Sequence, residues 1–142
     1  MIATAKATKI VDAPGERVWS AIKSIGGLER WFPIIASCRV EGEGVGAIRI
    51  LGLVDGSEMR DRVLEIADAE RRFRYDRFKL PFPVENYQGT VEVRDRADQG
   101  SVVVWKTQFE VAADKKDGLV ALIESALSDG LDGLEQELMF RT

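Results

Sequence analysis

Four polar side chains fall on stretches that alternate like strands, and their types are those that bind or transform small molecules: Arg49, Asp61, Tyr75 and Tyr87. Successive strand residues point to opposite faces, so each is read with its neighbours two places away. Asp61 goes with Met59 and Val63, Tyr75 with Phe73, and Tyr87 with Gly89, Val91 and Val93. Arg49 shares a parity with Leu51 and Leu53, but the opposite parity, Ile50, Gly52 and Val54, is equally apolar, so alternation alone does not decide its direction. A carboxylate, a guanidinium and two phenols on an apolar face admit three readings. They form a buried ion pair with core-filling tyrosines. Or they are the few polar groups that orient a ligand in an apolar pocket. Or Asp61 acts as an acid–base group while Tyr75 or Tyr87 donates to a developing oxyanion. Against the last, Asp61 beside Arg49 is expected to stay ionised, with a lowered pKa.

The residues that are missing narrow the chemistry. The chain has no histidine and one cysteine, Cys38. Histidine-dependent triads are excluded, and an all-protein zinc or iron site is not expected. No metal and no cofactor are therefore assigned. Cys38 beside Arg39 reads as an inert buried thiol before an activated one. The glycines of Gly42–Gly46 lack the Lys-Ser/Thr of a phosphate loop and precede a strand, so they read as a hairpin turn. Arg71, Arg72, Arg74 and Arg77 form a basic cluster, read as a solvated face that Arg60 and Arg62 can enlarge.

The elements that must position these groups begin with a strand over residues 3–12, ended by Asp12-Ala-Pro14. A helix is predicted over Pro14–Ile25, with Val18, Trp19, Ile22 and Ile25 on its apolar side and Gly26-Gly27 closing it. Leu28–Ile35 reads as a second short helix and a turn, interrupted at Pro33. Strands follow over Ser37–Glu41, Ala47–Val54, Ser57–Ile66, Arg72–Phe78, Tyr87–Arg94 and Val102–Val111, with a turn signal at Asp55-Gly56. The links between them, Ala67–Arg71, the proline-rich Lys79–Asn86 and Asp95–Gly100, are short and imply an antiparallel meander. In the last strand Val103, Trp105, Thr107 and Phe109 form the bulkier, inward set. The chain then runs into a long amphipathic helix, Asp117–Met139, whose apolar residues include Leu119, Ile123, Leu127 and Leu131. Gly130 and Gly133 inside it allow close approach or bending, each weakening the helix by about 1 kcal/mol relative to alanine.

The predicted fold class is α+β: a curved seven-stranded antiparallel sheet wrapped round the C-terminal helix, with two short helices after the first strand. At 142 residues the whole chain, 1–142, is expected to be one domain with a substantial core. A net charge of −4 argues against a nucleic-acid partner. No apolar run approaches a membrane span, the first residues do not resemble a signal peptide, and the lone cysteine asks for no oxidising compartment, so a cytoplasmic location is expected.

Ala13-Pro14 with Val18-Trp19, Trp31 with Pro33, Gly44-Val45-Gly46-Ala47-Ile48-Arg49, Asp55-Gly56, Asp61-Arg62-Val63 with Tyr75, Asn86-Tyr87, and Trp105 with Phe109 occur in that order before the long final helix. The ordered set resembles the START-like (SRPBCC, polyketide cyclase/dehydrase-like) superfamily with the helix-grip fold, in its bacterial branch. The resemblance covers essentially the whole chain and implies a pocket between sheet and helix, with Arg49 facing in. That superfamily spans lipid carriers, plant hormone receptors and aromatic polyketide cyclases, so it does not fix the chemistry. The abscisic-acid receptors share the Val-Gly-x-x-Arg and Asn-Tyr segments. Their anchoring lysine, gate and latch fall here on Ala36, Asp55-Gly56-Ser57-Glu58 and Phe82-Pro83-Val84, so that mechanism is not expected.

The first expectation is a binding or carrier module for a small apolar molecule, aromatic or lipid-like. Its candidate ligand contacts are Arg49, Leu51, Leu53, Met59, Asp61, Tyr75 and Tyr87, then Gly89, Trp105, Thr107, Ile123, Leu127 and Leu131. Gly89 would leave room for a ligand or for the helix. Leu80 and Phe82 in the proline-rich loop lie near the expected mouth, as a lid, a dimer contact or a buried anchor. The alternatives are a cyclase- or dehydratase-like enzyme using Asp61, and an interaction protein without ligand. The chain is expected to be a monomer or homodimer.

Overall fold

The computed structural model describes residues 1–140; residues 141 and 142, included in the predicted domain, lie outside the described residues. The elements run β1 (Ile2–Val11), α1 (Gly15–Lys23), a 3-10 turn (Leu28–Arg30), β2 (Ile35–Glu41), β3 (Ile48–Leu53), β4 (Glu58–Ala67), β5 (Arg72–Lys79), β6 (Val84–Asp95), β7 (Ser101–Val111) and α2 (Lys116–Phe140). All strands join one antiparallel sheet in the order β1-β7-β6-β5-β4-β3-β2. The α+β helix-grip architecture read from the sequence is the one observed.

Two local expectations need correction. The predicted second helix is a single 3-10 turn, because Pro33 lies too close for a further turn and β2 already begins at Ile35. The strand expected from Tyr87 begins at Val84. A register shift between Glu85 and Gln88, with Asn86 at φ 52°, conceals the strand start behind a bulge.

α1 starts at an extended Pro14 cap and carries Glu16 in its first turn and Lys23 in its last, each complementing the helix dipole. It buries Val18, Trp19 and Ile22. The chain leaves it through Ile25, a β-branched residue at φ 71°, a region such residues rarely enter. That conformation is over-determined from outside: the Ile25 carbonyl accepts a 3.0 Å hydrogen bond from Nη1 of Arg49.

α2 divides its length. Leu131, Leu134 and Leu138 are buried in the core, while Ile123 and Leu127 are buried nearer its start. Its polar side is engaged as well. Glu124 and Glu135 accept the backbone N–H groups of Lys6 and Asp12 at 3.0 and 3.1 Å, and Lys9 pairs with Asp132 at 2.9 Å. Lys6 and Lys9 belong to β1, an edge strand, and Asp12 directly follows it.

The two helix glycines permit close approach. A Cβ at Gly130 would lie 2.1 Å from Cε1 of Phe32, and one at Gly133 would lie 2.1 Å from the carbonyl oxygen of Trp31. Trp31 is tied down further by Nε1 donating to Glu137 at 2.7 Å. Replacing Gly133 by alanine gains about 1 kcal/mol of helix propensity but drives a methyl group into backbone. The expected net effect in urea unfolding is a loss of about 1–3 kcal/mol, and a more stable Gly133→Ala protein would refute the close-contact role.

Candidate functional site

The polar residues singled out above meet through strand register. Arg49 on β3 pairs with Asp61 on β4, Asp61 with Arg77 on β5, and Arg77 with Tyr87 on β6. A single row of cross-strand neighbours therefore reads guanidinium, carboxylate, guanidinium, phenol. Asp61 is fully buried and its two oxygens are shared between the arginines. Nε of Arg49 donates to Oδ2 at 2.9 Å, and Nε and Nη2 of Arg77 donate to Oδ1 and Oδ2 at 2.6 and 3.1 Å. Nη2 of Arg49 lies 2.9 Å from Oδ2 yet is not aligned for a hydrogen bond. Burial pushes the Asp61 carboxyl upward, but the charges of Arg77 and then Arg49 outweigh it and hold the group below its usual value.

Arg77 was expected on a solvated face, and the structure corrects that. Its side chain is 11% exposed and ion-paired to Asp61. The signal was present, since Phe73, Tyr75 and Arg77 share one parity, but the basic run from Arg71 masked it. Of the other arginines, Arg71 pairs with Asp95, Arg72 with Glu65 and Arg60 with Glu58.

Tyr75 is held from several sides. Its ring centroid lies 4.9 Å from Cζ of Arg49 and 5.4 Å from Cζ of Arg77, both within cation–π range. Its hydroxyl accepts from Nε1 of Trp105 at 3.1 Å. Gly89 is its register partner, and a Cβ there would lie 2.2 Å from Cζ of the ring, so Tyr75 fills the space that the missing side chain leaves. Tyr87 stacks on Phe109 at 5.6 Å and lies 5.1 Å from Cζ of Arg77. Burial raises both phenol pKa values, so both stay protonated at neutral pH.

A cavity of about 350 Å³ lies between this part of the sheet and the first half of α2. Of the sequence-selected residues, Leu53, Met59, Tyr75, Tyr87, Trp105, Ile123 and Leu127 line it. Arg49, Leu51, Asp61, Gly89, Thr107 and Leu131 do not; all are buried behind or beside its wall. Thr107 instead donates to the Ala5 carbonyl at 3.1 Å. Sequence reasoning missed Arg77 in the floor and Leu28 and Phe32, which come from the aperiodic segment after α1. Phe32 meets Trp105 edge-on at 5.4 Å. Ile34, Val54 and Leu122 line the cavity while 40%, 66% and 51% exposed, and so form an apolar rim, with the half-buried Phe82 beside them. Asp55, Ser125 and Asp129 add exposed polar groups. A second, more polar opening includes Phe78, Leu80 and Asn86 and shares Arg77 and Tyr87 with the first.

Among the described residues no cluster of potential ligands for a metal is found, and no helix is long and apolar enough to cross a membrane. Burial pushes the Cys38 thiol pKa up, the opposite of an activated nucleophile.

Residues 3–139 match the family model described as polyketide cyclase / dehydrase and lipid transport. Among solved structures, the protein XoxI from Bacillus cereus is 28% identical over 97% of this chain and 96% of its own, with a TM-score of 0.87. A solution NMR structure from Thermobifida fusca is 27% identical over 94% of this chain and 91% of its own, at a TM-score of 0.85. Norcoclaurine synthase from Thalictrum flavum, in complex with dopamine and hydroxybenzaldehyde, is 17% identical over 100% of this chain and 89% of its own, at a TM-score of 0.83; that likeness is one of fold. A search of curated proteins finds no match.

The ion cluster makes a direct prediction. Asp61 binds fewer protons in the native than in the unfolded chain, so its contribution is complete above the ordinary carboxyl value of about 3.9 and is lost as pH falls through the lower native one. Asp61→Asn leaves two buried guanidiniums without their counter-ion, at an expected loss of about 3–5 kcal/mol at pH 7. Its unfolding free energy should also decline less steeply on acidification than that of the parent. Equal stability at pH 7 would show that Asp61 does not hold the row together.

Proposed function

The chain belongs to the polyketide cyclase / dehydrase and lipid transport family, and we propose that it binds a small apolar molecule, aromatic or lipid-like, in the cavity between the sheet and α2. The observation that carries this reading is the cavity itself: about 350 Å³, within the range of small-molecule sites, walled by aromatic and aliphatic side chains and floored by a few convergent polar groups. The sequence-selected residues that line it are the proposed contacts, joined by Phe32 and Arg77. The apolar rim of Ile34, Val54 and Leu122 supports entry of an apolar molecule at that end.

An enzyme acting through Asp61 has less support. Both carboxylate oxygens are taken by guanidinium groups, and Asp61 does not line the cavity. A general acid or base must reach the proton it moves, directly or through one water.

The test uses a residue that borders the void without filling it. Ala126 on α2 is half-buried and lines the cavity. Ala126→Phe is expected to weaken binding of the apolar fluorophore N-phenyl-1-naphthylamine at least roughly tenfold, equivalent to about 1.4 kcal/mol, with far-UV circular dichroism unchanged. Mass spectrometry of an organic extract of the purified protein is expected to yield a retained apolar compound. Dye binding that ignores the substitution would sink the pocket assignment.

A further inference from the structure

The buried row does not balance its own charge. Arg49 and Arg77 carry two positive charges, and Asp61 supplies one negative. The Ile25 carbonyl takes one further donor of Arg49. Among the described residues no second carboxylate is ion-paired with either guanidinium. Nε and Nη2 of Arg77 are spent on Asp61, while its Nη1 has no hydrogen-bond acceptor among them. Arg77 is the member of the ion cluster that reaches the cavity wall.

An excess buried charge is costly unless something of opposite sign completes it. The faces of Tyr75 and Tyr87 offset part of that cost. Tyr75 also presents an unused proton, since its oxygen already accepts from Trp105. Arg77 and Tyr75 both line the apolar cavity, and a guanidinium with a phenol is a donor combination suited to a carboxylate. The acids on the lining, Asp55 and Asp129, are exposed, and Asp55 is occupied by the backbone and hydroxyl of Ser57, so solvent screens them from the floor. The imbalance is a single charge, which a monoanion neutralises and a phosphate dianion exceeds.

The geometry points to a carboxylate on an apolar body as the ligand class, its acid group on Nη1 of Arg77 and the hydroxyl of Tyr75, its body against Phe32, Trp105 and Leu127. This rests on the pocket reading above and adds the polar end of the ligand. The carboxylate is the shared chemistry; an aliphatic or an aromatic skeleton is decided by the test.

Two acid–neutral pairs are titrated against the full chain at pH 7.5: cis-parinaric acid with its methyl ester, and 2-naphthaleneacetic acid with its amide. In at least one pair the acid is expected to bind roughly tenfold or more tightly than its neutral partner, and that pair identifies the skeleton. Arg77→Gln should abolish the difference between acid and neutral partner. Tyr75→Phe, which keeps the ring and removes the proton, should reduce the difference several-fold. Equal affinity of acid and neutral partner in the parent protein overturns the proposal, whether or not Arg77→Gln folds. A preference for the acid that survives in folded Arg77→Gln overturns it too. Parent protein that binds neither member of either pair removes the pocket reading itself, a different failure from loss of the acid preference.

Discussion

A carboxylate with no exposure to water, held between two guanidiniums on neighbouring strands, is the constraint around which this molecule is arranged. Asp61 spans β3 and β5 through Arg49 and Arg77. Arg49 then reaches out of the sheet to the carbonyl of Ile25 and fixes how the chain leaves α1. Both arginines contact the ring of Tyr75, which closes over Gly89 and forms part of the cavity wall. A one-residue slip between β4 and either neighbour would send Asp61 to the opposite face and leave charges buried alone. The row therefore specifies register more sharply than apolar side chains in the same places would.

That specificity need not mean great stability. Buried ion pairs are often matched by well-packed apolar residues of similar size. What apolar residues would not supply is a charged floor beneath an apolar chamber.

The antiparallel meander from β2 to β7 and the long helix were readable from alternation, turn residues and three-to-four spacing, because those signals are local; the pairing of β1 with β7 joins distant segments and gives no such signal. Asp61 could be placed inward from Met59 and Val63 alone. Arg77 obeyed the same rule beside Phe73 and Tyr75 and was overlooked because charge density outweighed parity. Arg49 could not be placed by alternation, since β3 is apolar on both faces; the resemblance pointed it inward, and its partner Asp61 on β4 is what holds it there. Phe32 and Leu28 lie in a segment with no period, so no pattern announces that they line the cavity. Gly89 and Gly130 show another limit: a missing side chain signals close approach without naming what approaches. The answers, Tyr75 and Phe32, depend on pairing across the sheet and on packing between distant segments.

The carboxylates of α2 that accept backbone donors from β1 and from the residue just after it have a mechanical meaning. Swinging the helix away to admit a guest would strip hydrogen bonds from Lys6 and Asp12 and reopen an unpaired strand edge, a template for joining another chain. The helix is in effect latched to the frame along that margin.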